Sequence, residues 1–297
     1  MLLMNEYLLF AILSPIFWAI VNIIDDYQIK RIYKTPSLAI IMTGIFLVVP
    51  LLFAFTKIQN LDLNGSLVGI LAGVCLVLSS WLYFKALSTE DTAVVIALWS
   101  LTPVGVYILS YLFLGEVLTK NQTIGSMVIV AGSVLISLLG KRRYRFSPTL
   151  LIMLVSSALY SVSSILEKQT YIDSQDFYSG YLFITLGTII GTVFFVLRKK
   201  NFLATVSVFR TQKKYLIFIV VSEAINIAAI FFQNLAVSFG NLTIVKVIEG
   251  TQPIFVLVIT LILALFFRYY KKSVDYKTIA PKLIIIILMF VGFTLMN

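Results

Sequence analysis

This chain contains no histidine and only one cysteine, Cys75, in 297 residues. An internal disulfide needs two cysteines, and the common transition-metal sites draw their ligands largely from cysteine and histidine. The two absences exclude a disulfide framework and a cysteine metal cluster, and we predict neither a metal nor a cofactor. Without histidine, any coupled proton would have to be carried by a carboxyl group.

Charged residues are also scarce, at 12% of the chain, while 60% of the residues are hydrophobic. A soluble protein carries about twice that charged fraction. So few charges cannot cover a soluble surface, and a lipid bilayer must cover the rest. The net charge of +10 does not indicate a nucleic-acid partner, because the basic residues lie between apolar segments, where membrane insertion selects them.

Apolar segments long enough to span a bilayer recur along the whole chain. They lie at about 8–24, 38–56, 66–84, 93–113, 122–140, 149–166, 178–197, 214–234, 243–266 and 279–296. The first has no basic residues before it and no cleavage site after it, so we expect a retained span and no signal peptide. Backbone in hydrocarbon must satisfy its own hydrogen bonds. The predicted fold class is therefore all-α, a polytopic membrane protein of ten transmembrane helices.

The two halves of the chain resemble each other. The segment Ser14–Asp25 aligns without gaps with Ser156–Glu167, and serine, aromatic, small polar and acidic residues recur in register. We expect two five-helix repeats, residues 1–140 and the more divergent 141–297. An odd number of spans in each repeat forces the second to lie inverted, which creates a site at their interface.

The first half carries three short motifs in sequence: Ala97-Leu-Trp-Ser-Leu-Thr-Pro103, Tyr111-Leu-Phe-Leu-Gly115-Glu116 and Gln122-Thr-Ile-Gly125. Together they resemble the EamA-type module of the drug/metabolite transporter superfamily. The second half departs from the pattern, because Phe266 and Phe267 stand where Leu-Gly-Glu would be.

That resemblance implies ten helices in two inverted repeats, with a central cavity lined by the first, third and fourth helices of each half. It also implies a carrier of amino acids, nucleotide sugars, drugs or other metabolites, and termini in the cytoplasm. The loop charges of this chain predict the opposite orientation. Of its 23 basic residues, 19 lie in connections after odd-numbered spans, which places those connections in the cytoplasm and both termini outside. The membrane is predicted to be a bacterial plasma membrane.

Glu223 lies near the middle of the eighth apolar segment, where a charged side chain is least expected. A charge near mid-bilayer costs about 2.5–3.5 kcal/mol on insertion scales. Asn226 and Gln233 follow on nearly the same face of its helix. Loss of water favours the neutral form of a carboxyl. Glu223 is therefore the best-placed group to exchange H+ for a small-molecule solute.

Three other segments carry polar stripes at helical spacing. Lys246 and Glu249 lie in the ninth segment, where Lys246 either pairs with an acid or contacts an anionic solute. The remaining candidates for substrate binding or coupling are Trp18, Asn22 and Asp25, together with Tyr83, Trp99, Tyr160 and Ser164. Each also has a structural alternative: the serines as packing residues, the aromatic residues at the membrane interface, and Asp25 as a solvated end of the first span.

The sequence thus favours a secondary transporter that works by alternating access, as a monomer or homodimer. The closest alternative is a flippase that moves a lipid-linked substrate. An intramembrane enzyme is disfavoured, because the chain has no histidine, one cysteine and no HExxH motif.

Overall fold

The computed structural model of the chain describes residues 2–58, 61–90, 92–139, 148–174, 176–266 and 276–296. Every regular element within these ranges is a helix. Ten stretches of helix in the described ranges are long and apolar enough to cross a membrane. The predicted all-α fold with ten spans is therefore confirmed.

The ten spans, numbered in chain order, are Tyr7–Tyr33, Pro36–Lys57, Ser66–Leu87, Val94–Leu114, Lys120–Leu138, Pro148–Ser174, Phe177–Val196, Lys213–Phe239, Leu242–Phe266 and Ile279–Met296. Span 1 runs well past residue 24, where the hydropathy pattern placed its end. Its α-helix ends at Gln28, and a π-helical turn, Ile29–Tyr33, follows. Lys30 of this turn pairs with Asp26, with 2.5 Å between Nζ and Oδ1. Asp25 is therefore inside the helix and not at its solvated end.

Three spans are interrupted near the middle, and a proline explains each interruption. Span 2 consists of helices Pro36–Phe46 and Val48–Lys57; span 4 of Thr92–Trp99, Thr102–Leu109 and a π-helical turn Ser110–Leu114; span 9 of Leu242–Glu249 and Gln252–Phe266. In each case the first helix ends four residues before a proline, namely Pro50, Pro103 or Pro253. Proline has no N–H to donate to the carbonyl four residues earlier, so the helix ends there.

The two halves are packed into each other. Span 3 packs on spans 6 and 7, span 8 packs on span 1, and span 5 packs on span 10. Glycines allow the closest approach: a Cβ added to Gly73 would lie 2.2 Å from the carbonyl oxygen of Ile184, and one added to Gly187 would lie 2.2 Å from that of Ile70. These glycines therefore allow the backbones of spans 3 and 7 to pack closely against each other within the protein.

These contacts follow the relation expected of two inverted repeats, in which each span of the first half corresponds to the span five positions later. The packing of span 3 on span 6 then corresponds to that of span 8 on span 1. The division into 1–140 and 141–297 remains a prediction. Its boundary falls in residues 140–147, which lie outside the described residues, as do residues 267–275 with their basic side chains.

A short helix that the hydropathy pattern did not indicate, Lys199–Thr211, connects spans 7 and 8. Its Thr205 and Val208 are buried, whereas Phe202 and Leu203 are more than half exposed. An apolar exposed face beside lysine and arginine residues is typical of a helix that lies in the membrane interface.

Candidate functional site: a central acidic cavity

A cavity of about 150 Å³ lies at the centre of the helix bundle, between the two halves. Trp99 and Gln252, which line it, flank the interruptions of spans 4 and 9. The two interruptions also approach each other, since a Cβ added to Gly250 would lie 3.5 Å from Cγ of Pro103. Discontinuous helices that meet at mid-membrane are a recurrent way of building a transporter site.

Nine of the twelve predicted site residues line this cavity. They are Trp18, Asn22, Asp25, Tyr83, Trp99, Tyr160, Glu223, Asn226 and Gln233. Lys246 and Glu249 line a smaller adjoining pocket, which shares Trp99 and Tyr160 with the cavity. Ser164 lines neither of them. Its hydroxyl is buried and donates to the carbonyl of Tyr160 in its own helix, which fits the packing alternative.

Glu223 connects three spans through its hydrogen bonds. Thr43 of span 2 donates to its Oε1 at 3.2 Å, and Asn226, one turn along span 8, donates to its Oε2 at 3.3 Å. The indole N–H of Trp18 in span 1 donates to Asn226 Oδ1 at 3.3 Å. A carboxyl with few and long hydrogen bonds keeps acceptor capacity for a further partner.

Aromatic rings form a second surface of the cavity. The rings of Tyr83 and Trp99 lie 5.4 Å apart, and those of Trp99 and Tyr160 lie 4.7 Å apart, measured between centroids. The hydroxyl of Tyr83 donates to Asn22 Oδ1 at 3.1 Å, which ties span 3 to span 1. All three rings line the central cavity, so they do not lie at the membrane interface as the structural alternative supposed.

Lys246 is held in a buried network of the second half. Its Nζ lies 3.1 Å from Oε2 of Glu249 and donates to the hydroxyl of Tyr160 at 2.8 Å. That hydroxyl donates to Oε1 of Glu249 at 2.8 Å. Of the two alternatives for Lys246, the structure therefore supports the ion pair with an acid.

Several lining residues were missing from the predicted site. Glu167 lines the cavity and is fully buried, and its Oε1 has no hydrogen-bond partner in the described part of the chain. Its match to Asp25 in the repeat alignment was a usable signal. Span 7 contributes Thr185, Thr188 and Thr192, whose spacing of three and four residues places them on one helical face.

The ends of spans 8 and 9 at one membrane face are fixed by two charged side chains. Glu116, at the end of span 4, accepts hydrogen bonds from the first backbone N–H groups of span 9, those of Leu242 and Thr243, at 2.8 and 3.1 Å. Lys168 donates to the carbonyls of Val237 and Gly240 at 2.9 and 2.8 Å, at the end of span 8. Both contacts satisfy orphan groups of helix ends and complement the helix dipoles.

Comparison with known proteins places this geometry in context. Residues 5–138 match the EamA-like transporter family. An uncharacterized protein of Methanocaldococcus jannaschii is 26% identical over 135 residues, which make up 46% of this chain and 98% of that protein. A solved crystal structure superposes with a TM-score of 0.69 at 14% identity, over 98% of this chain and 96% of that one. The last likeness concerns the fold alone, and it extends over nearly the whole chain.

Proposed function

We propose that this protein is a secondary carrier that moves a small solute by alternating access through its central cavity, since residues 5–138 match the EamA-like transporter family. The observation that carries the proposal is the cavity itself. It lies between two packed halves, at the crossing of two interrupted helices, and polar residues from six or more spans converge on it.

Two clusters of side chains adjoin the cavity and would act as its alternating barriers. Toward the ends of spans 6 and 8, Tyr181 of the lining stacks on Phe177, and Phe177 contacts Phe231, with ring centroids 5.6 and 5.7 Å apart. Toward the opposite face, Tyr83 and Phe84 of the lining pack against a buried cluster formed by the ends of spans 1 and 3 and the beginnings of spans 2 and 8.

The orientation proposed for this carrier follows the loop charges, with the connections after odd-numbered spans in the cytoplasm. The interfacial helix Lys199–Thr211 lies in one of these connections. Its basic residues would then face the anionic cytoplasmic leaflet, which attracts such segments.

Cysteine accessibility tests alternating access before any substrate is known. Thr188→Cys, in a Cys75→Ala background, places a thiol in the cavity, and Val193→Cys places one on the lipid-facing side of the same helix. An impermeant thiosulfonate should label the first from each membrane side in part of the population, and should leave the second unlabelled. Passage of the impermeant reagent itself from one compartment to the other through the Cys75→Ala protein would indicate an open channel and contradict the proposal.

Glu223 is the residue we propose for coupling to a proton. Glutamine in its place keeps the shape, and its single carbonyl oxygen can still accept the hydrogen bond from Thr43 or the one from Asn226, but the titratable group is removed. We expect Glu223→Gln to remain folded and to lose the response of transport to an imposed pH gradient. The measurement is uptake into proteoliposomes across a panel of amino acids, nucleotide sugars and amines.

The matched control for this variant is Asp173→Asn, which removes a carboxylate that does not line the cavity. It should transport as the native protein does. An unchanged pH response in Glu223→Gln would indicate that another acid carries the proton, with Glu249 as the next candidate.

A further inference from the structure

The lining of the central cavity carries charge of only one sign. Asp25, Glu167 and Glu223 are among its residues, and none of the described lining residues is lysine or arginine. Ionising three carboxyl groups in a desolvated space costs free energy, and a cation that enters the space recovers part of that cost.

Two cations on spans that line the cavity, Lys246 and Lys30, are already paired with acids. Lys246 pairs with Glu249 and lies over the ring of Tyr160, with its Nζ 4.4 Å from the ring centroid. Lys30 pairs with Asp26, which also accepts a hydrogen bond from Thr92. Asp25 makes neither an ion pair nor a hydrogen bond with another residue in the described part of the chain.

Two buried polar atoms indicate where a partner is missing. Oε1 of Glu167 and the hydroxyl of Tyr181 have no hydrogen-bond partner among the described residues. Both residues line the cavity. Buried polar atoms are nearly always paired in a functional state, so these atoms favour a polar ligand that the cavity receives.

The aromatic surface of Tyr83, Trp99 and Tyr160 narrows the chemistry of that ligand. Aromatic faces attract cations, and organic cations more than strongly hydrated metal ions, because their apolar parts also gain from burial. A water occupies about 10–15 Å³ of such a cavity. The volume of about 150 Å³ therefore holds on the order of ten to fifteen non-hydrogen atoms, which is too large for a bare inorganic ion.

We propose that the transported solute is a small organic cation, an amine with an apolar or aromatic body, whose charge binds between Asp25 and Glu223 and whose body lies against Tyr83 and Trp99. This inference rests on the proposed carrier function and adds the class of its substrate. Lys246 then serves to neutralise Glu249, so that the carboxylates nearer to span 1 remain available to the solute.

Three probes of similar size and different charge test the inference on the purified full-length protein in nanodiscs. They are phenethylamine, 2-phenylethanol and 3-phenylpropionate, a cation, a neutral molecule and an anion with the same ring. Calorimetric titration should give binding in the order cation, neutral, anion. A charged hydrogen bond contributes enough that phenethylamine should bind about tenfold to a hundredfold more tightly than 2-phenylethanol.

The variants Asp25→Asn and Glu223→Gln should each weaken phenethylamine binding by about tenfold and leave 2-phenylethanol unchanged. Asp173→Asn should bind all three probes as the native protein does. The order of the probes on the native protein does not depend on whether either variant folds. Preference for 3-phenylpropionate, equal binding of the three probes, or no binding of phenethylamine would overturn the inference.

Uptake of the same probes into proteoliposomes separates this inference from the proposed function. Binding of phenethylamine that depends on Asp25 and Glu223, without uptake, would support the site and refute carriage. Uptake of the anionic or neutral probe, with no uptake of phenethylamine, would support carriage and refute the cationic substrate.

Discussion

The buried pair of Lys246 and Glu249 allows a stability prediction that is independent of the transported solute. The two residues are 1% and 5% exposed, and their charged atoms lie 3.1 Å apart. Removing one partner of a buried ion pair costs about 3–5 kcal/mol, because the other charge is left buried and uncompensated. Replacing both by neutral groups of similar shape removes that cost.

We therefore expect Lys246→Gln and Glu249→Gln to lower the free energy of unfolding strongly as single variants, and the double variant to recover most of the loss. At about 2–4 °C for each kcal/mol, each single variant should lower Tm by about 6–20 °C. Thermal unfolding followed by size-exclusion chromatography in detergent measures all three variants.

The result that would refute this reasoning is a double variant whose loss equals the sum of the two single losses. The hydroxyl of Tyr160, which bonds to both residues, would then be the dominant partner of each. Tyr160→Phe in the double variant distinguishes the two cases, because it should add little when the ion pair dominates.

Two further predictions concern topology and packing. Cysteines at Asn5 and Arg143, in a Cys75→Ala background, should label oppositely with an impermeant thiol reagent in intact cells, with Arg143 protected; labelling at Arg143 alone would place both termini in the cytoplasm. Gly73→Ala should destabilise the protein by about 1–3 kcal/mol or more through its clash with span 7. The lipid-facing control Leu71→Ala should change Tm little. Similar losses of Tm in both variants would show that the close helix contact at Gly73 is not the cause.

The sequence predicted those parts of the site whose residue types are costly in a membrane. Glu223 and Asn226 were found because a central carboxyl in an apolar helix needs a reason, and both line the cavity. The number of spans followed from the length of hydrocarbon that a helix must cross.

Other parts depend on distances between helices, which no local pattern contains. Lys246 had two candidate roles until its distance to Glu249 was available. The polar face of span 7 was overlooked because threonine is tolerated in membrane helices, so its three threonines gave a weak signal. Asp25 was placed at a helix end because the apolar segment ends near residue 24, whereas the helix continues to Gln28 and a π-helical turn extends to Tyr33.

The contact of Glu116 with the beginning of span 9 makes the two halves of the protein unequal. In the proposed alternating-access mechanism, two identical inverted repeats would give outward- and inward-facing conformations that are related by a twofold rotation and equal in free energy. Phe266, at the position of the second half that corresponds to Glu116, cannot accept the equivalent hydrogen bonds. In the proposed carrier, the two conformations would therefore differ in free energy because of the sequence itself, and a resting preference for one side of the membrane would need neither a solute nor a membrane potential.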